Sequence, residues 1–272
     1  MSTDFAAQAD IINEASTDSA PEMPSPPDPH VQLMRGIYQK TDTIDKWHDV
    51  AEIRELTGED EEYLDSVAGK KEGLTFTQYM TLLLQRGVLS IGDLDVQSHP
   101  EVVNKLIMAD RELLFLALVK ATYGNERSIR AICGNCGQDN TIVIELDKDF
   151  DIREPEFDPR EDQVIHTSKG DVRLKLPNGE DMDAVQADQS LSDAQGNTIL
   201  LSRCAVWPEG EGPVDKQEWA RKLNVGDRKK LLNAIVETSA SFGPDLKGVD
   251  TQCAECGKDM AISLDWVSLL FG

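Results

Sequence analysis

Apolar residues recur at helical spacing in the first half of the chain. One stripe of them lies on a single face of a segment that ends at Gly87, and its members are Phe76, Tyr79, Met80, Leu83 and Leu84. Upstream, Thr57 precedes a run of acids typical of a helix start, which predicts a helix from about Glu59 to Val67. We therefore expect residues 31–144 to be largely helical, although residues 47–56 alternate between apolar and polar and could form a strand.

A longer pattern occurs twice. An apolar helical segment begins at Asp110-Arg111 and again at Asp227-Arg228, and each copy leads through an aromatic-Gly break and a CxxC-Gly sequence to a short strand pattern ending in Leu-Asp. We expect Asp110 to cap the first helix and Gly124 to lie just beyond its end. The two helices should pack near each other, with Leu114 and Leu232 buried.

The segment between the two copies has its own pattern. Residues 145–162 are rich in acids and contain Pro155 and Pro159, which indicates an extended, solvated connection. Residues 171–176 alternate strictly, Pro177-Asn178-Gly179 resembles a tight turn, and residues 180–185 would return as a second strand. A helix is expected around residues 197–206.

These patterns predict an α+β fold. It would consist of a mostly helical N-terminal part and a four-cysteine zinc ribbon built from two repeated helix–CxxC–strand units, with an inserted β-hairpin element. The expected divisions are a tail over 1–30, a helical region with the first repeat over 31–144, an acidic linker with a hairpin and helix over 145–215, and the second repeat with an apolar C-terminal segment over 216–272.

The paired cysteines carry the clearest chemistry. A structural zinc site takes four ligands in a tetrahedron, and neither CxxC pair can complete one alone. The sequence therefore predicts one structural zinc per chain, held by Cys133, Cys136, Cys253 and Cys256. Disulfides would require an oxidising compartment, which the acidic N-terminus without an apolar core does not indicate, and a redox CxxC would not need a second copy. Cys204 lies in an apolar run and is best explained as a buried small hydrophobe.

Charge narrows the class of partner. The 27 basic and 50 acidic residues give a net charge of −23, which argues against binding nucleic acid through phosphates or binding an anionic membrane surface. No apolar run approaches the roughly 20 residues of a spanning helix. We expect an intracellular protein whose partners are proteins and whose oligomeric state the sequence leaves open.

Both ends of the chain are distinctive. Residues 1–30 contain six acids, no Lys or Arg and five of the twelve prolines, a composition typical of a disordered tail that either solvates the protein or orders on a partner. The C-terminal segment is instead apolar, and Leu264, Val267, Leu270 and Phe271 share one face of a short helix. This face would bind a partner or would dock on the chain's own core.

The chain offers little for catalysis. Four cysteine ligands leave no open position on a metal, and His30, His48, His99 and His166 are scattered without a partnering motif. No GxSxG, HExxH or glycine-rich phosphate loop is present. We expect a protein that is not an enzyme.

The ordered set of motifs resembles the baseplate hub assembly proteins of T-even-type contractile-tailed bacteriophages. The motifs lie at residues 57–61, 110–124, 133–137, 177–179, 227–244, 253–257 and 269–271. The resemblance implies a small phage protein that helps to build the central hub, as a chaperone or a minor hub component, with hub or tail proteins as partners. It would act in the host cytoplasm during assembly and could remain in the virion's baseplate. The alternative is a zinc-ribbon adaptor in another intracellular complex.

Overall fold

The computed structural model of the chain describes residues 28–68, 75–188, 190–245 and 248–262. It begins with an antiparallel sheet in the order β1-β2-β3-β4, formed by His30–Lys40, Asp45–Ile53, Val88–Ile91 and Leu94–Asp95. The prediction of a largely helical region is therefore wrong between residues 30 and 53, and the alternative of a strand near residues 47–56 is confirmed by β2. The pairing of β1 with β2 shifts register between Gln32 and Ile37, and this irregularity interrupts the two-residue alternation that would have revealed β1.

Helices cover one face of this sheet. They are α1 (Gly58–Ala68), α2 (Phe76–Gly87), a 3₁₀ helix (Pro100–Lys105) and α3 (Met108–Tyr123). The predicted bounds of α1 and α2 agree closely with the structure. Met80, Leu83 and Leu84 are fully buried, as the apolar stripe of α2 predicts, and they join the sheet residues and α3 in the first hydrophobic core. Gly124 ends α3 with φ of 84°, as expected.

A hairpin of β5 (Glu126–Ile132) and β6 (Asp139–Glu145) follows α3 and carries the first CxxC pair in its turn. The short helix α4 (Leu146–Asp149) and the two-residue strand β7 (Ile152–Arg153) then lead into the second half of the chain. The acidic linker is thus not wholly irregular, because β7 pairs with β11 (Gly243–Pro244) far along the sequence.

The second half opens on a sheet in the order β8-β9-β10, formed by Gln163–Thr167, Gly170–Leu174 and Ala205–Val206. The inserted hairpin is therefore β8–β9, and the prediction that Asn178-Gly179 turns the chain back as a strand is wrong. Residues 179–186 form helix α5 instead. Asn178 caps it, because its side-chain oxygen accepts from the Asp181 N–H while the Asp181 carboxylate accepts from the Asn178 N–H.

Three more helices and a second CxxC hairpin complete the described chain. The helices are α6 (Asp193–Cys204), α7 (Lys216–Lys222) and α8 (Val225–Ser241), and the hairpin is formed by β12 (Val249–Gln252) and β13 (Asp259–Ile262). A second hydrophobic core lies between the β8-β9-β10 sheet and these helices. Leu114 on α3 is fully buried in the first core, whereas Leu232 on α8 is only half-buried at the edge of the second.

The two ends of the chain lie outside the described residues. This applies to most of the acidic N-terminal segment and to Leu264, Val267, Leu270 and Phe271. In the described ranges, no helix combines the length and the apolar character needed to cross a bilayer.

Candidate metal centre

Each CxxC pair lies in the tight turn of a hairpin, and the two turns have the same backbone hydrogen bonds. The Cys133 N–H donates to the Gln138 carbonyl and the Gly137 N–H donates to the Cys133 carbonyl, both at 2.9 Å. Cys253 makes the same two bonds with Lys258 and Gly257, again at 2.9 Å. Gly137 and Gly257 have φ of 74° and 66°, a left-handed conformation that suits glycine. The glycine after each second cysteine therefore closes the turn that aims both sulfurs the same way.

The structure brings the four predicted cysteines together. Their sulfurs all lie within 4.8 Å of one another, with Cys133 Sγ 3.8 Å from Cys256 Sγ and Cys136 Sγ 3.7 Å from Cys253 Sγ. Four sulfurs held at about 2.3 Å from one tetrahedral Zn²⁺ would be about 3.8 Å apart. These separations match such an ion and are far too long for a disulfide of about 2.05 Å.

The first cysteine of each pair is buried and the second is exposed. Met260, Ala131 and Ile142 pack against the two buried cysteines and form a small apolar base under the sulfurs. Side chains also bind across the two hairpins, because Asn140 Oδ1 accepts from the Ala254 N–H at 3.0 Å and Asn135 Nδ2 lies 3.6 Å from Cys256 Sγ. Asn140, itself buried, thus fixes the second turn against the first.

Backbone amides prepare the buried sulfurs for a cation. The N–H groups of Cys136 and Asn135 lower the pKa of the Cys133 thiol, and those of Cys256 and Glu255 lower the pKa of Cys253 to about 6. The Gln138 N–H acts the same way on Cys136, but burial and the three neighbouring sulfurs together raise the pKa of Cys136 to about 12. Four thiolates this close repel one another, so a bound divalent cation would remove the cost of ionising all four.

Other ligand candidates lie elsewhere. Within the described ranges, the four cysteines are the one group of Cys, His, Asp and Glu ligands close enough to share a metal ion. His48 is buried and its ring nitrogens contact the Gln39 side chain and the Asp93 N–H, as expected of a satisfied polar residue. Cys204 is fully buried, as predicted, and burial raises the pKa of its thiol to about 12.

The sequence patterns did not reveal a second feature, a fully buried arginine at the start of α3. The Arg111 guanidinium donates through Nη1 to the carbonyl of Val103 and the side chain of Asn104, at 3.0 and 3.3 Å. Through Nη2 it donates to the carbonyl of Thr77 and the hydroxyl of Thr81, at 3.1 and 2.7 Å. This arginine clamp ties α3 to both the 3₁₀ helix and α2.

Arg228 at the start of α8 makes the matching bonds. Its Nη1 donates to the carbonyl of Ala220 on α7 at 3.1 Å, and its Nη2 donates to the carbonyl of Ala194 and the hydroxyl of Thr198 on α6. Three of the four Arg111 acceptors have a counterpart at Arg228, all but the Asn104 side chain. Thr81 and Thr198 also each donate their hydroxyl to the carbonyl four residues earlier. The repeated Asp-Arg pair in the sequence was the signal for this second clamp.

Asp110 differs from expectation. Ile107, and not Asp110, is the N-cap of α3. Buried Asp110 accepts backbone N–H groups of β1, from Met34 at 2.7 Å and Gly36 at 2.9 Å. Asp227 similarly accepts the Ser168 N–H at 3.0 Å in the β8–β9 turn. Each aspartate therefore ties its helix to a β-hairpin, while the adjacent arginine ties the same helix to its neighbours.

Taken together, the fold and the site define an α+β protein in which two CxxC turns from distant hairpins form a single four-cysteine cluster able to hold a metal ion. The family model for T4 bacteriophage base plate protein matches residues 37–271. The chain belongs to this family of phage base plate proteins. Comparisons with curated proteins and with solved structures give no match.

Proposed function

We propose that this chain is a non-catalytic assembly protein of the phage baseplate hub, acting as a chaperone or as a minor hub component. The observation that carries the proposal is the family match, which extends over residues 37–271 and so includes both CxxC hairpins and the elements between them. The motifs that resemble hub assembly proteins fall within the same span. The protein would act in the host cytoplasm while the baseplate forms, through contacts with hub or tail proteins.

The metal in the four-cysteine cluster is proposed to be one structural zinc. Zinc favours a closed tetrahedron of thiolates in structural sites, and the sulfur separations of 3.7 and 3.8 Å suit that geometry. Four protein ligands leave no position for a substrate or a water, so the ion would stabilise the fold and would not catalyse a reaction. Asn135 and Asn140 would orient the two turns around it.

The zinc would join two copies of one unit. We take residues 30–145 as the first unit and residues 163–262 as the second, each running from a β-hairpin through helices to a CxxC hairpin. The two arginine clamps and the identical CxxC turns support this division.

Two further features support the same duplication. Thr75 and Ser192 cap α2 and α6 with the same capping box, which uses a glutamine three residues later. Asp60 on α1 binds Arg54 and Arg86, and Asp181 on α5 binds Lys175 and Arg203, so each unit has a buried carboxylate between two cations. In each unit one of these ion pairs joins residues more than 20 positions apart, Asp60 with Arg86 and Asp181 with Arg203, so the similarity extends beyond local sequence.

The hub contact is proposed to involve the C-terminal segment, through Leu264, Val267, Leu270 and Phe271. The helical spacing of these four apolar residues suits insertion into a groove on a hub subunit. If the segment docks on its own core instead, a deletion of residues 267–272 would lower the unfolding temperature. If it binds the hub, the deletion would leave zinc content and unfolding temperature near those of the full chain and would reduce capture of hub proteins.

Infection with a phage that lacks this gene tests the proposed role. We expect tails to stop before a complete hub forms, and the expression of the full chain in the host to restore them. Mass spectrometry of purified virions then separates the two forms of the proposal, because a minor hub component would be present and a chaperone absent. Normal baseplates without the gene would contradict both forms.

A further inference from the structure

One contact between the two units joins the start of α5 to the arginine clamp of the first unit. The Gly179 N–H donates to the Leu106 carbonyl at 3.2 Å, and Asn178 forms an isolated β-bridge with Ile107. A Cβ placed on Gly179 would overlap the Arg111 guanidinium, so only glycine allows this approach. Asp183, one turn into α5, is close enough to Arg111 for an electrostatic interaction. The helix start therefore covers Arg111, which is fully buried.

The two elements of this contact, a helix start with glycine and an arginine clamp, each have a counterpart elsewhere in the chain. Thr57-Gly58-Glu59-Asp60 at the start of α1 corresponds to Asn178-Gly179-Glu180-Asp181, and a Cβ on Gly58 would meet no described residue within 4 Å. The second clamp, at Arg228, is only partly buried. Among the residues that the structure describes, the first unit thus has an α1 start with nothing against its glycine, and the second has a clamp that no helix start covers to the same extent.

We propose that the α1 start of one copy of this chain docks on the clamp of a second copy, around Arg228. This inference rests on the proposal that the two units are copies of each other. The docked contact would repeat between molecules the contact that α5 already makes within one. Residues 221–230, where α7 ends and α8 begins, are called the basic corner, since they include Arg221, Lys222, Arg228, Lys229 and Lys230.

Charge complementarity supports the α1 start of a second copy as the group that docks on the basic corner. In the existing contact, Met182 on α5 and Glu112 on α3 line one cleft, and their counterparts on the two free surfaces are Glu61 and Lys229. Glu61 and Lys229 are both exposed. A pair that contains one acidic residue within the chain would become a pair of opposite charges between chains. In the same way, Glu62 takes the place of Asp183 and would approach Arg228.

The docked contact should be weaker than the one within the chain. Ile107, Ala109, Leu176 and Phe242 form a small buried apolar cluster near the existing contact. In the basic corner, Asn224 takes the place of Ile107 and Gly226 takes the place of Ala109. Less apolar surface would be removed from water, so charge pairs would supply a larger share of the affinity. Association should therefore weaken as salt shortens the range of electrostatic attraction.

The geometry of such a contact differs from that of a symmetric dimer. The α1 start and the basic corner lie on different units. Each molecule would therefore bind one neighbour through its α1 start and another neighbour through its basic corner. Such heterologous contacts build closed rings or open filaments, depending on the rotation between successive copies.

Sedimentation velocity on the full chain, over a range of protein concentrations in low salt, tests the proposal. We expect the average mass of wild-type protein to rise with concentration. Glu61→Lys and Lys229→Glu should each raise the dissociation constant by about tenfold or more, because each places like charges opposite each other. A one-to-one mixture of the two variants should regain association, because every docked pair in it can again join opposite charges.

Gly58→Ala provides an independent test of the docked contact. Its Cβ lies in open space in the free chain but would overlap the Arg228 guanidinium of a docked copy, so it should block association without loss of thermal stability. Glu209→Lys and Lys40→Glu reverse exposed charges outside both surfaces and serve as matched controls. Wild-type protein that stays monomeric at every concentration, or a mixture that fails to regain association, overturns the inference.

The metal content of the same samples keeps this result apart from the proposed zinc site. A monomer with one zinc per chain would overturn the docking inference alone. Association without bound zinc would overturn the zinc proposal and leave the docking inference supported.

Discussion

Replacing Arg111 with Met tests how much the first clamp contributes to stability. Met keeps an unbranched apolar stem but removes the guanidinium, which makes four hydrogen bonds to two segments and has no solvent exposure. A hydrogen bond to a charged group contributes about 1.5–3 kcal/mol, and the carbonyls of Val103 and Thr77 would lose a buried donor. Part of this loss is offset because the variant no longer buries a charge. We expect the free energy of unfolding to fall by about 3 kcal/mol or more, against a usual total of about 5–15 kcal/mol.

Arg228→Met is the matched control. Arg228 makes equivalent bonds but is partly exposed, so water can replace some of the donors that the variant loses. We expect a loss of only about 1 kcal/mol. Urea unfolding followed by far-ultraviolet circular dichroism measures both values, provided that the slope of the transition is unchanged. Equal losses for the two variants, or a loss below about 1 kcal/mol for Arg111→Met, would refute the argument that coverage by α5 makes the first clamp the stronger one.

Three further outcomes follow from particular contacts. Gly179→Ala should destabilise the protein by about 1–3 kcal/mol through overlap with Arg111, while Gly58→Ala should be neutral or stabilising by up to about 1 kcal/mol; equal effects in thermal unfolding would contradict the assigned close approach. Burial opposes ionisation of Asp60, but hydrogen bonds from Arg54, Thr57 and Arg86 lower its pKa well below the ordinary value. The ionised carboxylate therefore contributes its full stabilisation above pH ~4 and loses it as the pH falls further, so the difference in unfolding free energy between wild type and Asp60→Asn should narrow in acid. A difference that stays constant with pH would contradict this role of Asp60. Because structural zinc sites bind with about 10–16 kcal/mol, a strong chelator should lower the unfolding temperature markedly, and an unchanged temperature after verified metal removal would show that the ion does not support the fold.

The sequence predicted the clustering of the four cysteines well because its signal is local. A CxxC followed by glycine fixes a turn with two converging sulfurs, and the second copy in matching context indicated that the turns belong together. Helix α2 was equally clear, because its buried stripe and its capping residues agree. What the spacing could not predict was which side chains complete the site, since Asn140 reaches the second turn only through the fold.

The wrong predictions arose where one short sequence is compatible with two local structures. Asn178-Gly179 suits a hairpin turn, but Asn is also a strong helix cap, and the Asp181 backbone N–H and carboxylate decided between them. Asp110 suited a cap by its position, yet the N–H groups of β1 hold its carboxylate instead. Both outcomes depend on contacts between distant segments, which local patterns do not contain.

Zinc content of the purified full chain in reducing buffer tests the central claim most directly. We predict one zinc per chain, with Cys133, Cys136, Cys253 and Cys256 protected from alkylation in the same sample. Changing Cys133 and Cys136 to Ser should abolish zinc binding and expose Cys253 and Cys256 on the other hairpin to the reagent. A zinc ratio near zero in the wild-type protein, or a ratio that the substitutions leave unchanged, would contradict a single zinc shared by the two hairpins.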